Sequence, residues 1–220
     1  MAKQHILLTV DNIIFTIYKE KLQVVLIQRA VEPFKDKWAI PGGFVLDTET
    51  LDQAAYRELA EETNVKNVYL EQLYSFSGIK RDPRGRVVSC AYMALANFKT
   101  LDLKSGSDAK QVKLCPVDGL PAALAFDHKE IIQYALKRLK YKLEYTNVAQ
   151  FLLPPAFTLS DLQQVYTVVF DQEFDTRNFR KKIEKLEIIK ETGDTIIRGA
   201  HRPAMLYKFN ERHVRVVEIL

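Results

Sequence analysis

Residues 43–65, GFVLDTETLDQAAYRELAEETNV, constrain the fold of this chain more than any other stretch. They open on a Gly-Gly turn after Pro41. From Leu51 to Thr63 no Pro or Gly interrupts the run, and Thr50 stands three residues before Gln53, the spacing of a capping box. The stretch therefore predicts a helix. On a wheel of about 100° per residue, Leu51, Ala55 and Leu59 make an apolar stripe. Glu58 and Glu62 fall on or beside that stripe, and Glu61 lies just off it. Three carboxylates thus gather at the C-terminal end, where the helix dipole disfavours anions and their spacing makes them repel one another. A solvated acidic patch is one reading. A divalent-cation site is the other, because a hard cation takes oxygen ligands and reverses the repulsion.

Spacing decides between them. Gly43 is followed after five residues by Glu49, after seven more by Arg57-Glu58-Leu59, after one more by Glu61-Glu62, and then by Asn64-Val65. This pattern resembles the Nudix box, G-x5-E-x7-R-E-U-x-E-E-x-G-U, with U aliphatic. The one departure is Asn64 in place of the last Gly, and Asn is the next-best residue for the left-handed backbone that ends a helix. The resemblance implies an α/β/α sandwich built on a mixed sheet. It also implies cleavage of a diphosphate that links a nucleoside to another group, with Arg57, Glu58, Glu61 and Glu62 as the catalytic set. Glu58, Glu61 and Glu62, helped by the Gly43 carbonyl, would hold Mg²⁺ or Mn²⁺ if the protein is hydrolytic. Arg57 would brace Glu49, and any of the glutamates could act as base.

The rest of the chain supplies the frame. Its 220 residues suffice for one large or two small domains, and 47% hydrophobic with 27% charged is an ordinary globular balance. A net charge of +4 is too mild to name a nucleic-acid partner by itself. Cys90 and Cys115 sit in no metal-ligand spacing and read as reduced thiols. The start shows no secretory pattern and no apolar run reaches a membrane span, so the expectation is a cytoplasmic protein without membrane contact. Residues 6–18 and 22–28 read as a hairpin, 68–77 and 86–98 as further strands, and Asp127 as the cap of an amphipathic helix carrying Ile131, Ile132, Ala135, Leu136 and Leu139. Arg81-Asp82-Pro83-Arg84-Gly85 is a turn by composition, and Arg81, Asp82 and Arg84 either contact phosphates or are solvated. Arg29, Phe34 and Trp38 flank the Gly-Gly turn, and the aromatics either stack on a base or belong to the core.

The composition changes at 145–155, and Pro154-Pro155 marks a boundary, giving domains at 1–145 and 146–220. Thr158 and Asp161 stand in capping-box spacing before an apolar face of Leu162, Val165, Tyr166 and Val169. Asp175 caps a second helix, 176–186, with Phe179, Ile183 and Leu186 on one face and Arg177, Arg180, Lys181 and Lys185 opposite. Then come Ile188-Ile189, a loop holding Gly193, Arg198, Gly199, His201 and Arg202, and a last strand from Ala204 to Phe209. Between Arg177 and Arg215 there are eleven Lys/Arg against five Asp/Glu. Helix, turn, helix and a hairpin with a basic tip is the plan of a winged helix-turn-helix, which suits a major groove and its phosphates, or serves protein contacts.

The two halves together resemble the Nudix-related transcriptional regulators. The resemblance rests on Pro41-Gly42-Gly43-Phe44-Val45, on Arg81 to Gly85, on Phe157-Thr158-Leu159, on Asn178 to Ile183, and on Arg202-Pro203-Ala204 with Leu206-Tyr207. It implies a homodimer that binds a palindromic double-stranded operator and releases it when a small molecule, ADP-ribose or in some branches a sugar, enters the Nudix domain. The expected effector contacts are Arg29, Phe34, Arg81, Asp82 and Arg84. The expected DNA contacts are Thr158, Arg177, Asn178, Arg180, Lys181, Lys182, Lys185, Arg198, His201 and Arg202. A stand-alone ADP-ribose pyrophosphatase with an accessory C-terminal domain is the competing expectation.

Overall fold

A strand with both faces covered anchors the N-terminal part. β1 (Leu7–Tyr18) is buried from Thr9 to Thr16, the pattern of a strand deep inside a sheet. The computed structural model describes residues 5–66, 68–104, 109–197 and 202–220. β1 turns back through Lys19 and Glu20, both with positive φ (49° and 57°), into β2 (Lys21–Arg29). The remaining strands are β3 (Trp38–Ala39), β4 (Gly42–Phe44), β5 (Tyr69–Phe76), β6 (Val87–Leu95) and β7 (Ala109–Pro116). The order β3-β2-β1-β6-β5 has β4 antiparallel to β1 and β7 antiparallel to β2, while β1 and β6 run parallel, so the sheet is mixed as expected. β7 is an addition, since the sequence pattern gave no strand there.

α1 (Leu51–Thr63) follows β4, and Thr50 and Gln53 form the capping box in both directions. Ala54 and Ala55 pack with Val10, Cys90 and Tyr92, and Leu59 packs with Ile14, Val25, Val65 and Ala94. Burying Leu59 contributes on the order of 2 kcal/mol. The Asn12 amide, buried in β1, donates to the Ala55 carbonyl at 3.1 Å and fixes the helix over the sheet. Asn64 ends α1 with φ 59°, the left-handed cap anticipated for it. α2 (His128–Tyr145) begins one residue after Asp127, whose carbonyl accepts from the Ile131 N–H. Asp127 therefore stands at the N-cap position, and its carboxylate is engaged by Arg81.

Two compact units emerge. One comprises residues 1–16, 23–96 and 100–136, the other 17–22, 97–99 and 137–220. In the second, α3 (Leu159–Phe170) buries Leu162, Val165, Tyr166 and Val169, and α4 (Thr176–Lys185) buries Phe179 and Ile183. The Tyr166 hydroxyl donates to the Leu143 carbonyl at 3.3 Å, and the phenol ring packs at 5.3 Å from Phe179. β8 (Ile189–Ile196) and β9 (Ala204–Phe209) form an antiparallel pair, and Phe157 bridges Tyr207 on β9. Gly193, expected in the loop, lies inside β8 with φ 87°, where the register with β9 shifts between Glu191 and Thr195. No helix among the described residues is long and apolar enough to cross a membrane.

Candidate effector cleft and nucleic-acid interface

The carboxylates of α1 meet the Gly-Gly strand at van der Waals limits. A Cβ on Gly43 would stand 2.0 Å from Glu58 Oε1, and one on Gly42 would stand 2.2 Å from the Val10 carbonyl oxygen. Only glycine allows β4 to lie this close to both neighbours. The Gly42 N–H donates to Glu62 Oε2 at 2.7 Å. Glu58 and Glu62 are both buried and line a cleft of about 180 Å³ together with Gly42 and Gly43.

Arg57 binds the acidic residues to one another. Its Nη2 and Nε donate to the two oxygens of Glu49 at 2.6 and 3.0 Å, and its Nη1 donates to Glu58 at 2.7 Å and Glu61 at 3.1 Å. Nη2 also reaches the Phe44 carbonyl at 3.0 Å. The paired guanidinium holds the Glu49 carboxyl down at about 2, while the carboxylates push Arg57 up. Burial pushes the Glu58 carboxyl up in spite of Arg57.

The donor chemistry of Glu58, Glu62 and the Gly43 backbone suits a hard cation. Glu61 stands apart: its side chain is 59% exposed and turned to Arg57. Among the described residues no three acidic, histidine or cysteine side chains converge on one point.

A second buried ionic group forms the other side of the cleft. Arg81 donates to Asp127 through Nε at 2.9 Å and Nη2 at 2.7 Å, and Nη2 also reaches Asp11 at 3.2 Å. Ser89 Oγ donates to the same Asp11 oxygen at 2.5 Å. His128 Nδ1 accepts from the Ile40 N–H at 3.0 Å, so the ring carries its proton on Nε2, 3.6 Å from Asp11. Burial pushes the His128 imidazole down, which keeps it neutral. Arg81, expected as a phosphate contact, has a side chain only 4% exposed and is held between two carboxylates.

Arg84 is the more available cation. Its side chain is 35% exposed and pairs with Asp82 through Nε and Nη2, the latter at 2.7 Å. Burial works to raise the Asp82 carboxyl, but the Arg84 bonds outweigh it and hold it below its ordinary value. Arg84 also stands 4.6 Å from the Phe44 ring centroid and 5.5 Å from that of Phe126. Arg29 donates to the Pro33 carbonyl at 2.8 Å and stands 5.0 Å from the Phe126 ring. Phe34 meets Phe126 edge-on at 4.8 Å. Arg29, Arg81, Asp82 and Arg84 thus line one cleft, and Phe34 is not among its lining residues but touches one of them, Phe126.

Asp11, Phe44, Phe126 and His128 line this cleft too, and the sequence reading did not single them out as site residues. A lone acid in the apolar run of β1 was a signal for Asp11. Nothing local marked Phe126 or His128.

The second unit presents the basic face. α4 carries Arg177, Arg180, Lys181, Lys182 and Lys185 against a single acid, Glu184, and all five cations are exposed, as is Asn178. The Asp175 carboxylate caps the helix by accepting from the Asn178 N–H at 2.8 Å. Arg180 Nη2 donates to Ser160 Oγ of α3 at 3.1 Å. Arg202 is exposed just before β9, while Arg198 and His201 lie outside the described residues. Thr158 is 4% exposed, and its hydroxyl both donates to and accepts from Asp161. It serves as the α3 cap.

Comparison with known proteins follows the same division. Residues 8–135 match the NUDIX domain and residues 149–209 match the NrtR DNA-binding winged helix domain. An Acinetobacter baylyi protein described as an ADPR responsive transcriptional repressor is 38% identical over 205 residues, 92% of this chain and 82% of its own length. The chain belongs to the NrtR family. Shewanella oneidensis NrtR in complex with a 27-mer DNA superposes with a TM-score of 0.83 at 38% identity, covering 92% of this chain and 93% of that one. The NUDIX domain of the same NrtR, complexed with ADP ribose, matches 62% of this chain and 90% of its own at 37% identity and a TM-score of 0.57. A Methanocaldococcus jannaschii ADP-ribose pyrophosphatase shares 38% identity over 129 residues, 59% of this chain and 72% of its own. The NrtR plan, a Nudix mixed sheet with helices followed by a winged helix, is the architecture described above.

Proposed function

We propose that this chain is a transcriptional repressor that holds its operator until ADP-ribose enters the Nudix cleft. One observation carries the reading. A single chain joins an arginine-and-carboxylate cleft to a basic helix, and it does so at 38% identity across 92% of its length to a repressor described as ADPR responsive. In this reading α4 enters the major groove, with Arg177, Asn178, Arg180, Lys181, Lys182 and Lys185 toward the duplex. Arg198, His201 and Arg202 follow the phosphates. The protein acts as a homodimer on a palindromic site, matching protein symmetry to operator symmetry. In the cleft, Arg29 and Arg84 face the diphosphate and the aromatic residues face the base, which favours ADP-ribose over a sugar.

The test is a titration of labelled duplex from the protein's own upstream region. Binding at low salt, steep weakening as salt rises, and release on adding ADP-ribose are expected. Arg180→Ala should abolish operator binding while ADP-ribose still raises the melting temperature. No binding at low salt without effector sinks the regulator reading.

Retention of Glu49, Arg57, Glu58, Glu61 and Glu62 supports a second activity, cleavage of ADP-ribose to AMP and ribose 5-phosphate. Glu58 and Glu62 with the Gly43 carbonyl would hold Mg²⁺ or Mn²⁺, and Glu61 would join them by turning from Arg57. Such an ion neutralises diphosphate charge and activates water when bound. Release of AMP by wild type and its loss in Glu62→Gln is the expected outcome. Intact ADP-ribose after hours with pure protein would leave only the sensing role.

A further inference from the structure

Phe126 stands where four groups of the cleft meet. Phe34 packs edge-on against its ring at 4.8 Å, and the His128 imidazole lies at 5.1 Å. The guanidinium carbons of Arg29 and Arg84 lie 5.0 and 5.5 Å from its centroid. Its backbone has φ 50°, a region that bulky side chains rarely adopt and that persists only when surrounding bonds impose it. Those bonds are present: the Ala125 N–H donates to the Trp38 carbonyl at 2.8 Å, and the His128 N–H donates back to the Ala125 carbonyl at 3.3 Å.

Both permanent cations are attracted to the one ring through its quadrupole. Each arginine is also tethered at its own end, Arg84 by Asp82 and Arg29 by the Pro33 carbonyl. Tether and ring together leave each guanidinium little freedom. Two cations fixed in the lining of one cleft suit a ligand that carries two phosphates, because the charges are in place before the ligand arrives.

We infer that Phe126 is a positioning residue that holds Arg29 and Arg84 as a pair for the diphosphate of the effector. The inference rests on the reading of the cleft as an ADP-ribose site. Its signature is electrostatic. Losing the ring frees the two arginines, so affinity falls and the salt dependence of binding falls with it.

The experiment is calorimetric titration of the full chain with ADP-ribose at several salt concentrations, using wild type, Phe126→Leu and Phe126→Tyr. Phe126→Leu should weaken ADP-ribose about tenfold, the effect of losing two cation–ring contacts, and should flatten the plot of log affinity against log salt. Phe126→Tyr, which keeps the ring, should restore both. Wild-type affinity in Phe126→Leu overturns the inference. So does a loss of affinity with the salt slope unchanged, which marks a ring that packs on the ligand or only supports the loop. A wild-type protein that binds no ADP-ribose overturns the functional reading itself, and the inference with it.

Discussion

Replacing Arg57 by Met removes a guanidinium while keeping an unbranched stem of similar helix propensity. Five hydrogen bonds go with it, to Glu49 (two), Glu58, Glu61 and the Phe44 carbonyl. The decisive loss is at Glu58, which stays buried without its cation. Removing one partner of a buried pair costs about 3–5 kcal/mol. The Arg57 side chain is 24% exposed, so solvent screens part of that, and the expected loss is about 3 kcal/mol at neutral pH.

The pH dependence has a definite sign. Burial already holds the Glu58 carboxyl above its ordinary value, and without Arg57 it rises further. Between the ordinary and the raised value the folded variant binds a proton that the unfolded chain does not, so its deficit shrinks as pH falls from neutrality toward the ordinary value of 4.5. The one tryptophan of the chain, Trp38, lies in β3, so its fluorescence during urea unfolding reads the Nudix unit specifically. An unchanged midpoint at neutral pH, or a deficit that grows on acidification, would refute the reasoning.

The two glycines separate backbone from side-chain crowding. Gly42→Ala meets the Val10 carbonyl of β1, which cannot yield, and should cost about 3 kcal/mol. Gly43→Ala meets only the Glu58 carboxylate, which can swing away, and should cost about 1 kcal/mol. Trp38 unfolding midpoints in the reverse order contradict this. Thr158→Val removes both hydroxyl bonds to Asp161 and should lower stability by about 1–2 kcal/mol with operator affinity unchanged below the unfolding transition. A large loss of affinity in the folded variant would restore Thr158 as a DNA contact. His128 is held neutral below its ordinary value of 6.5, so the unfolded chain takes up a proton first and stability is lost as pH falls from there. His128→Gln should flatten the melting profile below pH 6.5, and an identical profile means that the imidazole does not set it.

What could be read from sequence was local. The α1 capping box, its apolar stripe and the left-handed Asn64 all depend on residues a few positions apart, and all were legible. So were the capped starts of α3 and α4 and the burial of Phe179 and Ile183. β7 was not, because AKQVKLCP has neither clean alternation nor a turn signal, and it is a strand only by pairing with β2. The Asp11, Arg81, Asp127 and His128 cluster was also hidden. Arg81 read as a phosphate contact or a solvated charge and Asp127 as a cap, and no spacing tied them to Asp11 or His128 until the fold brought three distant segments together. Arg81 and Arg84 sit in one turn and read alike, yet one is buried between carboxylates and the other is available to the cleft. That difference is tertiary and leaves no trace in spacing.

Asn64 is where this chain departs from its motif, and the natural assumption is that a departure is a defect. Its side chain says otherwise: the amide donates to the Asp102 carbonyl at 3.2 Å and the Asp102 carboxylate at 3.1 Å. A glycine would relax the backbone but would drop both of those ties, and it would enlarge the freedom of the unfolded chain. An engineer restoring the motif's glycine to improve the protein would unfasten the exit of its acidic helix from the Asp102 segment between β6 and β7. The mismatch is better treated as a local solution with its own hardware, and a consensus score at this position would rank the variants in the wrong order.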